Sequence, residues 1–135
     1  MTAEQESKLL ASARRAAGMA YAPYSGFRVG AAVLDENGRI HAGSNVENAS
    51  YGLTVCAERN AVGRMVSAGG KKIVALLVFT NTEKLTPPCG ACRQVIAEFT
   101  SSGSDANDPL IILANRRRSK QVHLSRLLPQ PFRPS

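Results

Sequence analysis

The three cysteines of this 135-residue chain fall in two short runs, Thr54-Val55-Cys56-Ala57-Glu58-Arg59 and Pro88-Cys89-Gly90-Ala91-Cys92. Three thiolates can hold a zinc ion and leave its fourth position to water, which is what separates a catalytic zinc from a structural one. Glu58 stands two residues after the first thiol, close enough along the chain to move that water's protons. Such a site adds hydroxide to an electrophilic carbon and expels a group that needs a proton. Three inert buried thiols, or a Cys89–Cys92 redox pair, are the competing readings. The joint spacing with Glu58 and with Pro87 and Pro88 argues against both.

These residues need helices to position them. The capping box of Thr2 and Gln5 starts a helix that runs to about Gly18. Residues 21–26 read as a loop. Val29 to Leu34 is a strand of small residues, and Glu36-Asn37-Gly38 turns the chain so that Arg39 to Asn45 pairs back as a hairpin. A second helix is expected from near Thr54 to Gly69-Gly70, with Cys56 in its first turn. The continuous apolar run from Ile73 to Thr80 suits a strand buried on both faces. A third helix begins beside Cys89 and ends near Phe99, so Cys89 and Cys92, three apart, share a face. Helix N-termini favour thiolate over thiol. A loop from Thr100 to Asp108, a buried strand from Leu110 to Ala114 and a short helix from Leu124 to Leu128 complete the order. Helix, hairpin, then helix–strand units predict an α/β fold: one domain over 1–135, a three-layer α/β/α sandwich around a mixed sheet of about five strands.

Composition sets the bounds. Hydrophobic content of 44 % and charged content of 20 % are ordinary globular usage. No apolar run reaches membrane-spanning length, and none follows a basic N-terminus, so no membrane segment is expected. An odd count of three cysteines is a poor disulfide framework and suits metal in a reducing cytoplasm. The net charge of +7 is uneven: residues 1–108 hold 11 basic and 10 acidic side chains, whereas 109–135 hold Arg116, Arg117, Arg118, Lys120, Arg126 and Arg133 and no acid. A solvated surface explains this cluster more simply than a nucleic-acid groove.

Five segments together resemble the small homotetrameric cytidine deaminases: Phe27-Arg28-Val29-Gly30-Ala31-Ala32, Asn45-Val46-Glu47-Asn48-Ala49-Ser50-Tyr51, Cys56-Ala57-Glu58-Arg59, Pro88-Cys89-Gly90-Ala91-Cys92-Arg93-Gln94 and Leu127-Leu128-Pro129-Gln130-Pro131-Phe132. Zinc held by three cysteines, a non-ligand Glu and a Pro-Cys-x-x-Cys run form a deaminase signature. The resemblance implies hydrolysis of cytidine and 2'-deoxycytidine to uridine and 2'-deoxyuridine with release of ammonia, as in pyrimidine salvage. It assigns Cys56, Cys89 and Cys92 to one zinc per subunit and Glu58 to the proton shuttle. Asn45 and Glu47 fall to the ribose hydroxyls, Phe27 and the backbone of Ala57 to the base, and Ala49, Tyr51 and Phe132 to a neighbouring subunit's site.

The residues read alone are compatible. Asn45 and Glu47, two apart on an extended segment, point the same way, and an amide with a carboxylate suits a diol. Three thiolates on zinc leave a formal excess of negative charge, which Arg59 can offset by hydrogen-bonding a sulfur. Phe27 and Phe132 read as core by composition, and His41 and His123 as surface or satisfied histidines. Arg28 stands where the family often has proline and is expected to alter the pocket rim. A polynucleotide deaminase is disfavoured by Cys56, where those enzymes usually place histidine, and by only 5 % aromatics. A deaminase of a nucleoside antibiotic is disfavoured by the complete Asn45-to-Tyr51 segment, and a structural zinc module binding RNA through residues 116–120 by Glu58.

Overall fold

A computed structural model describes residues 1–100 and 107–134 of the chain. Its first helix, α1 (Ala3–Gly18), is capped as expected: Thr2 accepts from the backbone of Gln5 and the Gln5 side chain accepts from Thr2 in return. Strands β1 (Val29–Asp35) and β2 (Ile40–Ser44) form the antiparallel hairpin, turned at Gly38 with φ +79°, a conformation glycine adopts without steric cost. Then come α2 (Ala57–Ser67), β3 (Ile73–Thr80), α3 (Gly90–Glu98), β4 (Leu110–Ala114), β5 (Ser119–His123) and α4 (Leu124–Leu127).

The sheet order is β2-β1-β3-β4-β5, with β3 and β4 parallel through α3 and every other pair antiparallel. Alternation explains why its centre is apolar throughout. Ala31, Val33, Leu76, Val78, Ile111 and Leu113 join the core on the α2–α3 side. Their neighbours Ala32, Leu34, Leu77, Phe79, Ile112 and Ala114 join a second core beneath α1. The three-layer α/β/α sandwich is therefore what the structure shows.

Two differences matter. The fifth strand, β5, is one that the pass along the chain leaves unassigned: Ser119-Lys120-Gln121-Val122-His123 is an edge strand with only Val122 half-buried, so it carries no apolar alternation. The second helix starts later than expected, at Ala57, leaving Cys56 as its N-cap residue instead of a first-turn residue, whereas the third begins beside Cys89 as expected, with Cys89 at its N-cap. The expected loop over Thr100 to Asp108 lies, for residues 101–106, outside the described residues. Among the described residues no helix is long and apolar enough to cross a membrane.

One glycine sets the approach to the site. A Cβ on Gly43 of β2 would stand 2.5 Å from the Ala61 nitrogen and 2.9 Å from the Ala57 oxygen. Only glycine lets this edge strand lie directly on the α2 backbone. Asn60 reinforces the contact by donating to the Ser44 carbonyl at 2.8 Å.

Candidate active site

The N-termini of α2 and α3 converge at the carboxyl end of β3. Cys56 caps the first helix and Cys89 the second, with Cys92 one turn further on. Cys56 Sγ lies 3.8 Å from Cys89 Sγ, which lies 3.4 Å from Cys92 Sγ. All three sulfurs fall within 4.8 Å of one another. A tetrahedron of sulfurs about 2.3 Å from zinc has edges of about 3.8 Å, so the set fits that metal.

The electrostatics say the same. Cys56 is pulled down to about 5, first by hydrogen bonding from Cys92 and then by Arg59, against the opposing effect of burial. Cys92 is pushed up, chiefly by the Cys56 thiolate beside it and then by burial. Three sulfurs this close cannot all ionise unaided, and a divalent cation removes the conflict. Arg59 Nη2 donates to Cys56 Sγ at 3.7 Å and to the Thr54 carbonyl at 3.3 Å, placing its charge against the sulfur cluster.

Glu58 sits in the first turn of α2 and is 5 % exposed. Burial, with a smaller push from the Cys56 thiolate, raises its carboxyl to about 7, although the helix backbone and Arg59 oppose the rise. A carboxyl poised there gives and takes protons near neutral pH. It lines a cavity of about 220 Å³ together with Phe27, Asn45, Glu47, Cys56, Ala57 and Cys89. Val29, Val78 and Pro87 make its apolar walls, a flat-ring environment with few polar groups.

An adjoining hollow of about 360 Å³ shares Glu47 and Thr54 with this cavity and adds Tyr24, Ser25 and Tyr51. Asn45 and Glu47 both line the cavity of about 220 Å³, and Glu47 also borders the hollow, while Val46 between them is exposed. Neither polar side chain is idle. Asn45 accepts from the Val29 nitrogen at 2.9 Å and donates to the Phe27 carbonyl at 2.8 Å. Glu47 accepts from the Tyr24 and Ser25 nitrogens at 2.9 and 3.1 Å and from the Ser25 hydroxyl. The Ser25 hydroxyl, ahead of the backbone donors, holds the Glu47 carboxyl below its usual range. An amide has two donors and two lone pairs, and a carboxylate about four acceptor sites. Each side chain therefore keeps capacity for a ligand hydroxyl.

Ser25, Thr54, Thr86 and Pro87 belong to the site but carry no motif of their own; position in the loop before Phe27 was the only available signal for Ser25. Arg28 corrects the expectation placed on it. Its guanidinium donates to the Gly18 carbonyl at 3.1 Å, capping the end of α1, and it does not line the cavity. Ala49, Tyr51 and Phe132 are all exposed, Tyr51 at 75 % and Phe132 at 77 %. Phe132 does not line its own chain's cavity, and Tyr51 stacks edge-on against Tyr24 with centroids 5.9 Å apart. His41 Nε2 meets Asp35 Oδ2 at 2.8 Å and His123 Nδ1 lies 3.0 Å from the Asp108 carbonyl oxygen, so both histidines are satisfied away from the cavity. The Arg116–Arg118 run lines a separate cavity of about 630 Å³ with Asn81, Thr82, Glu83 and Lys84.

Comparison with known proteins agrees with this chemistry. Residues 3–103 match the family described as the cytidine and deoxycytidylate deaminase zinc-binding region. A cytidine deaminase of Halalkalibacterium halodurans is 46 % identical over 114 residues, covering 84 % of this chain and 83 % of that one. One from Sporosarcina psychrophila is 43 % identical over 125 residues, covering 93 % and 89 %. The crystal structure of cytidine deaminase from Burkholderia pseudomallei superposes with a TM-score of 0.84 at 38 % identity, over 98 % of this chain and 100 % of that one.

Proposed function

The chain belongs to the family of zinc-dependent cytidine and deoxycytidylate deaminases, and from that premise we propose that it hydrolyses cytidine and 2'-deoxycytidine to uridine and 2'-deoxyuridine, releasing ammonia, as a cytoplasmic homotetramer of pyrimidine salvage. The observation that carries this reading is a buried Glu58 poised near neutrality beside three converging sulfurs at the floor of a ring-sized cavity.

Cys56, Cys89 and Cys92 would hold a zinc ion, which when bound would lower the pKa of a water molecule from about 15.7 toward about 7. Glu58 would take a proton from the attacking water as the water oxygen adds to C4 of the base, and deliver it to ring N3. A second transfer through the same carboxyl moves the proton of the new C4 hydroxyl to the exocyclic amine. The C–N bond breaks, ammonia leaves and the C4 oxygen becomes the carbonyl of the product. Phe27 and the apolar walls hold the base flat, and the backbone of Ala57, fully buried at the start of α2, borders it. Arg59 offsets charge on Cys56 so that three thiolates do not blunt the water's acidity. The apolar part of the lining limits competition from bulk water for the Glu58 proton.

Asn45 and Glu47 take the sugar hydroxyls with the capacity left over from their backbone bonds. Asn45→Ala would also release the Phe27–Val29 backbone, so Glu47→Gln is the cleaner change. It should raise the KM for cytidine by about 10–100-fold, the worth of one hydrogen bond to a charged group, with kcat less affected. Free cytosine should be a poor substrate of the wild type, because the groups awaiting a sugar go unpaired. A panel of cytidine, deoxycytidine, cytosine, adenosine and blasticidin, followed by loss of the exocyclic amine, tests the reading. Good turnover of cytosine would remove the sugar assignment, and preference for adenosine or blasticidin would remove the substrate.

Ala49, Tyr51 and Phe132 complete a neighbour's site in the assembly we propose. Their exposure in the single chain supports this, since large aromatic side chains open to water on a folded subunit call for a cover. Phe132→Ala should then lower activity while leaving the melting temperature of the subunit nearly unchanged. Refolding Phe132→Ala together with inactive Glu58→Gln should restore sites in which one protomer supplies the carboxyl and another the ring. A mixture no more active than its parts, or an active monomer in sedimentation, would refute the shared site.

A further inference from the structure

The residues after α4 read Leu128-Pro129-Gln130-Pro131-Phe132-Arg133-Pro134. Proline has no N–H and cannot build a ladder, so this tail cannot hold itself in place by secondary structure. The Phe132 ring, 77 % exposed, is not held by core packing either. Yet its backbone is fixed. The Gln94 side chain donates to the Phe132 carbonyl at 2.9 Å and accepts from the Phe132 nitrogen at 3.1 Å. One planar amide thus takes both main-chain groups of one residue, as a neighbouring strand would. Two parallel bonds set a direction, where one would leave rotation free.

The surroundings show that this is an anchored tail. Arg93, the residue before Gln94, donates to the Leu127 carbonyl at 2.9 Å and to the Pro88 carbonyl at 2.7 Å. Arg133 donates to Thr100 Oγ1 at 3.1 Å. The tail is therefore tied to α3 and its flanks at Leu127, Phe132 and Arg133, and Phe132 is the large apolar side chain on it that stays open to solvent. Holding this backbone costs side-chain entropy yet leaves the Phe132 ring uncovered, an arrangement that suits a target outside its own chain.

We propose that Gln94 is a positioning residue: its paired hydrogen bonds to the Phe132 backbone aim that ring at a neighbouring subunit's active site. The inference rests on the shared-site reading above. It also gives α3 a double task, since the helix that carries Cys89 and Cys92 for its own site then holds the ring for another. Gln94 does not line its own chain's cavity.

A double-mutant cycle with Gln94→Ala and Phe132→Ala tests this, read as kcat and KM for cytidine on zinc-loaded protein. Gln94→Ala alone should lower kcat/KM by about 3–30-fold, the expected loss when two ordinary hydrogen bonds no longer bias the tail. The change should lie mainly in KM, with zinc content and melting temperature unchanged, because alanine suits a half-exposed helix position. On the Phe132→Ala background the same change should cost less than about twofold, within the additivity error of such cycles. An equal loss in both backgrounds would show that Gln94 acts by another route and would overturn the proposal. So would wild-type kinetics for Gln94→Ala beside an impaired Phe132→Ala. Wild-type kinetics for Phe132→Ala itself would instead defeat the shared site, and the positioning role with it.

Discussion

Glu58→Gln should leave a folded, zinc-loaded protein with turnover lower by about 10⁴-fold or more. Loss of one general acid–base group typically costs about 10²–10⁴, and here a single carboxyl serves two successive transfers, so the loss belongs at the top of that range. The amide keeps the size and the helix position of Glu58 and removes only its proton exchange. Folding should not suffer. Burial raises the Glu58 carboxyl to about 7, so in the metal-free protein the charged form is disfavoured in the fold relative to the unfolded chain. For a carboxyl raised in this way the penalty is absent below the unfolded pKa and grows as pH rises toward the folded one. The metal-free Glu58→Gln variant should therefore unfold at a higher temperature than metal-free wild type at pH 8, and at nearly the same temperature at pH 4. Stopped assays with zinc content measured in parallel decide the matter. Turnover within tenfold of wild type in a zinc-loaded variant would remove Glu58 from the reaction.

Cys89→Ala should weaken zinc binding and lower activity together. Zinc at closed four-ligand sites contributes about 10–16 kcal/mol, so each ligand accounts for roughly 3 kcal/mol and its loss for on the order of 100-fold in affinity. Cys89 is the best of the three sulfurs to remove, because it is exposed and its truncation leaves no core void, whereas Cys92 is fully buried. The variant then isolates the metal's share of stability. Wild type should lose thermal stability when a chelator is added, since a ligand that binds only the folded chain stabilises it in proportion to the logarithm of its saturation. At zinc concentrations that just saturate wild type, Cys89→Ala should melt near the chelated wild type and respond little to chelator. A variant that retained one zinc per subunit and full activity would show that the three sulfurs are not the ligand set.

Much of this was legible in the residues themselves. The capping box at Thr2, the turn at Gly38 and the apolar run of β3 each announce an element through local chemistry, and the structure has them where the chain implies. The edge strand β5 was not legible, because Ser119 to His123 needs only a partner's hydrogen bonds and not an apolar face. Arg28 misled for a related reason. Its charge was visible, but its direction depends on the end of α1, ten residues away, where the Gly18 carbonyl waits for a donor. Gln94 stands in a segment that carries the resemblance, but its role, like that of Ser25, is silent in sequence, since a single amide or hydroxyl means something only beside the group it grips.

By itself the sequence determined the donors, their order, and the helices and strands that carry them, because ligand chemistry and hydrophobic alternation are properties of short stretches of chain. The tertiary structure alone decided the rest. It brings sulfurs 33 residues apart to 3.8 Å, seats Glu58 where water is scarce and its carboxyl rises to about 7, and leaves Phe132 held by its backbone with its ring uncovered. Distance, desolvation and direction are set by elements packing against one another across the sheet, and no window of the sequence contains both sides of such a contact.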